Sequence, residues 1–285
     1  MDDFVVLKSS RIHYCCWGTG ASLLFAFHGY GESAEGFAFL GKAIDNEFTL
    51  VAIDLPFHGR TEWKEGHFFD PQQLAALMRE IAGRLPGRSA GWRLLGYSMG
   101  GRIALRLLED NPETVEQLVL LAPDGLVVNP WYWLATRTGP GNRLFRLTMR
   151  RPAWFFLLLR LGNALKLVNP SVYKFTVHYI NNGPYRLDLY IRWTTMRGFR
   201  PHLPVIRDII RSRQVPVSLI YGRYDRIIRW ERGEKFRKKG IADYCQLTLL
   251  PTGHQVLQAQ YLDVLLSALK EGGGLSAGPG VNTPR

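Results

Sequence analysis

The stretch Trp92-Arg93-Leu94-Leu95-Gly96-Tyr97-Ser98-Met99-Gly100-Gly101-Arg102-Ile103-Ala104-Leu105 decides how this chain is read. An apolar run leads into Gly96-Tyr97-Ser98-Met99-Gly100 and a helical pattern leads out through Leu107 and Leu108, so G-x-S-x-G lies between a short strand and a helix. A serine on such a turn is held in a strained backbone conformation, and glycines two positions to either side let strand and helix approach closely. Its hydroxyl emerges at the carboxyl end of the strand, beside helix N–H groups and a dipole that favour developing negative charge. Those are the requirements of a nucleophile. A glycine-rich βα turn with an incidental serine has the same hexapeptide, so the flanking segments must decide between them.

Upstream, Phe4 to Leu7 and Ile12 to Trp17 read as a hairpin joined by Lys8-Ser9-Ser10-Arg11. Ser22 to Phe27 is a nearly continuous apolar run ending at His28-Gly29, the pattern of a buried parallel strand. Residues 33–44 predict a helix with Phe37, Leu40, Gly41 and Ile44 on one face and Ser33 as its cap. Phe48 to Ile53 is the next strand and runs into the loop Asp54 to Arg60; Pro71 to Leu85 is helical, with Leu74, Leu77, Met78 and Ile81 in register. Downstream, Val115 to Leu121 is a further strand closed by Ala122-Pro123-Asp124-Gly125. The alternation predicts an α/β chain with a mostly parallel sheet, and ligands of such sheets bind outside the carboxyl ends of the strands. His28, Asp54, Ser98 and Asp124 all fall on that edge.

From about residue 126 to 212 the strand signal gives way to helices broken at Gly139-Pro140-Gly141, Asn169-Pro170 and Gly183-Pro184. We read residues 126–212 as a helical cap inserted into a core made of 1–125 and 213–270. The alternation resumes with Val215 to Tyr221, which ends in Gly222-Arg223-Tyr224-Asp225. A helix, a strand from Cys245 to Leu250, the loop Pro251-Thr252-Gly253-His254 and a last helix follow, and residues 271–285, rich in Gly, Ser and Pro, read as a flexible tail.

A chain of 285 residues that is 46% hydrophobic and 21% charged has a globular composition and length enough for a large core. Three cysteines, two of them adjacent, fit a reducing compartment better than a disulfide framework. Met1-Asp2-Asp3 opens no basic n-region and apolar runs such as 153–159 are too short to span a bilayer, so the expectation is a cytoplasmic protein. No His/Cys/carboxylate spacing suggests a metal, and the glycines match neither G-x-G-x-x-G nor a P-loop, so no cofactor is expected. No repeat or heptad register sets an oligomeric state.

Taken together, His28-Gly29-Tyr30, the Gly96 to Gly100 elbow, Gly222-Arg223-Tyr224-Asp225 and Gly253-His254 resemble the α/β-hydrolase superfamily, in its chain order of nucleophile, acid and histidine. The resemblance covers the chain apart from the tail. It implies Ser98 as nucleophile, His254 as general base and Asp225 as the acid that orients the imidazole, with Asp124 the alternative acid because some members place it after the preceding strand. It also implies an oxyanion hole from the backbone N–H groups of Tyr30 and Met99, with His28 and Gly29 shaping the turn and Gly96 and Gly100 permitting the elbow. A serine at the elbow disfavours members that use a carboxylate nucleophile.

From Leu126 to Arg213 the chain carries 15 lysines and arginines against two acids, 15 − 2 = +13, whereas the whole chain is +12. The excess charge therefore belongs to the cap. A basic, aromatic-rich cap suits a small-molecule or lipid-like ester and peripheral contact with an anionic membrane at its inner face; a soluble cap with charged outer faces explains the same charge. Without a recognition motif, nucleic acid is not an expected partner. The expected activity is hydrolysis of a carboxylic ester with a hydrophobic acyl group through an acyl-enzyme. Carbon–carbon hydrolysis of a diketone-like acid and a non-catalytic ligand receptor are the alternatives on the same fold.

Overall fold

The computed structural model describes residues 2–44, 46–85, 87, 89–127, 130–168, 173, 177 and 180–270, so the expected tail at 271–285 lies outside the described residues. Eight strands form one sheet: β1 (Asp2–Leu7), β2 (Ser10–Trp17), β3 (Ser22–Phe27), β4 (Phe48–Ile53), β5 (Trp92–Tyr97), β6 (Val115–Leu121), β7 (Val217–Gly222) and β8 (Cys245–Leu250). Their order is β1-β2-β4-β3-β5-β6-β7-β8. The first hairpin and the β2–β4 pair are antiparallel, and every pair from β4 onward is parallel. All six residues of β4 are buried because helices cover both faces, which is why it reads as an unbroken apolar run.

The elbow strand β5 lies mid-sheet between β3 and β6, and helix α3 (Met99–Asp110) leaves it packed over the sheet with Ile103, Ala104, Leu107 and Leu108 buried. Helix α2 (Pro71–Gly83) follows its expected pattern. Asp70 accepts the Gln72 N–H and forms a capping box with Gln73, and Leu74, Leu77, Met78 and Ile81 face the core. The expected helix at 33–44 is instead a short 3₁₀ turn (Ala34–Phe37) followed by α1 (Ala38–Ala43), and the Ser33 side chain makes no cap. The first N–H of the turn, that of Ala34, donates to the carboxylate of Asp54 at 2.6 Å and ties the turn to the end of β4.

Between β6 and β7 run α4 (Pro130–Arg137), α5 (Gly139–Arg150), α6 (Ala153–Ala164), α7 (Gly183–Thr195) and α8 (Leu203–Arg213). Thr138 caps α5 by accepting the Gly141 N–H. These helices pack in two ways. Met196, Phe199, Ile206 and Ile210 belong to the same apolar core as the sheet; Met149, Ile180 and Tyr190 form a separate small cluster with Phe145, Phe155 and Phe156 around it. After β7 come α9 (Glu231–Arg237), β8 and α10 (Leu262–Lys270). Among the described residues no helix is long and apolar enough to cross a membrane.

Candidate active site

Ser98 sits at φ 50°, ψ −111°, a region that non-glycine residues rarely occupy. The turn is fixed by its neighbours: the Ser98 N–H donates to Leu121 O at 2.9 Å, and Ser98 O accepts from Asp124 N at 2.8 Å and Gly101 N at 3.0 Å. Gly96 and Gly100 are obligatory here. A Cβ on Gly96 would strike the backbone of Gly100, and one on Gly100 would strike the Phe27 carbonyl of β3. The sequence thus places a side chain of ordinary chemistry on a backbone held against its preference.

Two loops from the far end of the sheet meet this serine. His254 follows β8, and its Nε2 lies 3.0 Å from Ser98 Oγ; its Nδ1 lies 2.7 Å from Asp225 Oδ2, after β7. Asp225 is buried, and its other oxygen accepts the N–H groups of Ile227 at 2.7 Å and Ile228 at 2.9 Å. Burial alone would raise its pKa; hydrogen bonds from His254 and Ile228 outweigh that and hold the carboxyl below its ordinary value. With Nδ1–H donated to a carboxylate, Nε2 is left as the acceptor facing the serine.

Asp124 does not reach the imidazole's side of this constellation. Its carboxylate faces the Arg102 guanidinium at 3.5 Å, and its side chain is 42% exposed. Tyr30 and Met99 both line the cavity onto which Ser98 opens, and Met99 is the first residue of α3, where helix N–H groups lack intrahelical acceptors.

His28 is fully buried. Its Nε2 accepts the Leu55 N–H at 3.1 Å, so Nδ1 is the protonated nitrogen that donates to Gly29 O at 2.7 Å. Burial pushes its pKa down to about 4, which keeps it neutral and tying the Gly29 turn to the end of β4. His58 is likewise buried and bonded to Pro56 O at 2.9 Å; burial and the neighbouring His28 push it down to about 2. Asp54 holds the loop together through His13 at 2.7 Å, Ala34 N at 2.6 Å and Arg60 N at 2.8 Å.

Two residues near the imidazole carry no signal in the sequence pattern. Tyr97 stacks on His254 with ring centroids 5.6 Å apart and donates to His254 O and Gln255 Oε1. Glu32, two residues past Tyr30, is pushed up in pKa by burial, and it lies close enough for electrostatic contact with His254. Spacing along the chain could not reveal them because their proximity arises only where the His254 loop meets the end of β5, for Tyr97, and the turn after β3, for Glu32. Spacing also hid the grouping of Asp2, His13 and Cys15, whose ligand-type atoms lie within 4.8 Å of one another. Asp2 is paired with Arg60, His13 with Asp54, and burial pushes the Cys15 thiol up to about 12, so those donors are committed elsewhere.

The cavity above Ser98 has a volume of about 460 Å³. Its walls combine Tyr30, Trp133, Trp193, Phe199 and Ile227 with five arginines. Fold and site together define an α/β-hydrolase. The chain belongs to the family described as serine aminopeptidase, S33, whose model matches residues 20–258. A pimeloyl-[acyl-carrier protein] methyl ester esterase of Nitrosomonas europaea is 32% identical over 126 residues, 44% of this chain and 46% of the relative. An esterase of Mycobacterium tuberculosis is 33% identical over 119 residues, 40% of this chain and 37% of its own length. The chain therefore spans less than half the length of these curated relatives. A thioesterase domain from the curacin biosynthetic pathway shares the fold with a TM-score of 0.62 at 18% identity, covering 94% of this chain and 99% of that one.

Proposed function

We propose that the protein is a serine hydrolase that cleaves a carboxylic ester with a hydrophobic acyl group. The observation that carries the reading is the single imidazole bridging Ser98 Oγ at 3.0 Å and the buried Asp225 at 2.7 Å. In this reading His254 removes the Ser98 proton as Oγ attacks the ester carbonyl, and returns it to the departing alkoxide. Asp225 holds the tautomer and stabilises the imidazolium. The N–H groups of Met99 and Tyr30 receive the oxyanion, each worth about a hundredfold to a thousandfold in rate. Water, activated by the same imidazole, then releases the acyl group. The aromatic and aliphatic walls of the cavity supply apolar surface for an acyl chain.

Labelling with a fluorophosphonate probe tests the reading. The intact protein should label, and Ser98→Ala and His254→Ala should not; folded protein that fails to label would favour a ligand receptor on this fold. Carbon–carbon hydrolysis of a diketone-like acid stands as a second reading because arginines line the cavity. Turnover of such an acid with none on any ester would select it.

We further propose that the helices between β6 and β7 form a cap that docks on an anionic membrane surface. Leu157, Leu158 and Leu161 of α6 are 69%, 56% and 56% exposed, and Arg160 of the same helix and Arg150 and Arg151 just before it in the chain are exposed as well. Apolar side chains with flanking cations suit the interface of an anionic bilayer. The intact protein should float with vesicles containing phosphatidylglycerol at low salt, and Leu157→Asp/Leu161→Asp should abolish it; no flotation of the intact protein removes the proposal.

A further inference from the structure

Arg102 is placed by the elbow itself. It lies four residues past Ser98, about one turn or roughly 6 Å along α3, and it lines the same cavity. It is also buried, at 7% exposure, which is rare for a guanidinium without full pairing. Its pairing is incomplete. The carboxylate facing it among the described residues is Asp124, at 3.5 Å and 42% exposed; the group lies over the Tyr132 ring at 4.6 Å and hydrogen-bonds to the Tyr132 side chain; and Nε is buried with no hydrogen-bond partner.

The surroundings deepen the deficit. Arg137, Arg197, Arg200 and Arg232 line the same cavity, and among the described residues none of them is in an ion pair with a carboxylate. Arg137 and Arg197 spend donors on backbone carbonyls, those of Arg197 and Thr194. Burial and then the charge of Arg200 depress the pKa of Arg137, so the arginines repel one another across this space. A second, larger cavity of about 850 Å³ adjoins the first and shares Arg137, Arg197 and Arg200 in its wall. Asp124 is the carboxylate in the wall of the first cavity, against five guanidinium groups, and Asp70 and Asp110 line the second; the first cavity is left with an excess of positive charge, which an anion would relieve.

We infer that the cavity carries an anion subsite centred on Arg102, and that the ester cleaved at Ser98 bears a carboxylate at the far end of its acyl chain. The inference rests on the hydrolase reading and narrows it to hemi-esters of short dicarboxylic acids. The apolar walls take the methylene chain, Arg102 takes the distal carboxylate from its place in the cavity wall, and the arginines shared with the second cavity draw the anion in. A carboxylate is assigned because the apolar walls between Ser98 and Arg102 suit the methylene chain that would carry it.

The test compares 4-nitrophenyl glutarate as its free acid with the same compound capped as the methyl ester, which matches it in length and lacks the charge. The wild-type protein should prefer the acid by about 10- to 100-fold in kcat/KM, expressed through KM, the range of a charge-assisted hydrogen bond. Arg102→Met should erase that preference, and Arg102→Lys should keep part of it. The ratio of the two substrates is read within one protein sample, so partial loss of folded protein does not mimic the result. Equal turnover of acid and capped ester by the wild type would overturn the subsite. If the wild type cleaves no ester at all, the hydrolase reading fails, and the subsite is judged by calorimetry with glutarate. Binding that Arg102→Met removes would then support it, and no binding would overturn it. Inorganic phosphate binding more tightly than glutarate would overturn the assignment to a carboxylate.

Discussion

Replacing Asp225 by Asn tests the hydrolytic reading at its most specific point, because the two side chains have the same shape and differ in what they force on His254. In the structure, Asp225 Oδ1 accepts the N–H groups of Ile227 and Ile228, and Oδ2 accepts from His254 Nδ1. An asparagine must keep its one oxygen toward the two backbone donors, since an NH₂ there would leave two buried N–H groups unpaired. Its NH₂ then faces Nδ1, which can only accept, and the imidazole proton moves to Nε2, facing Ser98 Oγ. A protonated Nε2 cannot take the serine proton. The expected loss in kcat is about 10⁴-fold, or roughly 5 kcal/mol of transition-state stabilisation, while KM changes little. Hydrolysis of 4-nitrophenyl esters measures it, with circular dichroism to show that the variant folds. A loss below tenfold would refute the reasoning, and a loss of thousandfold in Asp124→Asn with little in Asp225→Asn would move the acid to Asp124.

Acid should weaken the fold through the buried histidines. His28 titrates near 4 when folded against about 6.5 when unfolded, so below pH 6.5 the unfolded chain binds the extra proton. The stability due to neutral burial is complete above that pH and declines toward pH 4, by about 3 kcal/mol for this group. Urea melts at pH 7 and 4.5 check it, and equal midpoints would show the histidine is not held neutral. Ser98→Gly should abolish activity yet raise Tm by about 2–4 °C, since relief of the φ 50° conformation is worth about 1 kcal/mol; an unchanged or lower Tm would mean the elbow stores no strain. Gly100→Ala drives a methyl into the Phe27 carbonyl and should cost about 3 kcal/mol or more, read as a fall in the denaturation midpoint.

What could be read from the sequence was what depends on neighbours along the chain. The elbow is local: strand, turn and helix occupy residues 92–110 without interruption, so the position of Ser98 at a sheet edge follows from pattern alone. The parallel core is legible for the same reason, through runs such as Phe48 to Ile53 that alternation excludes. The choice between Asp124 and Asp225 was not local. Both follow a strand, and they differ only in what lies opposite: the Arg102 guanidinium for one, the His254 ring for the other. The turn that aims Asp225 is itself built across strands, with Arg223 N on Leu250 O and Tyr224 N on Thr252 O. Ser33 shows the reverse case, a sound local signal that goes unused: its side chain makes no cap, and the turn is tied instead through the Ala34 N–H to a carboxylate twenty residues away.

The net charge shows most clearly why composition stops short of function. Between Leu126 and Arg213 the count of +13 is one number in the sequence, and eight of its fifteen basic residues fall in two groups that want different partners. Arg143, Arg146, Arg150, Arg151 and Arg160 are exposed, as are the bare leucines of α6, while Arg137, Arg197 and Arg200 line the cavity with Arg102, a residue of α3 that the count omits. Salt separates the two groups. Exposed charges are screened over about 10 Å at 0.1 M, so vesicle binding should fall steeply as salt is raised toward 0.5 M. A buried guanidinium in contact with its anion is screened much less, so the preference for an acidic ester over its capped form should persist over the same range. If both effects vanished together, the arginines of the cavity would be acting at long range, as part of one diffuse positive field, and the division into an outer face and an inner subsite would not hold.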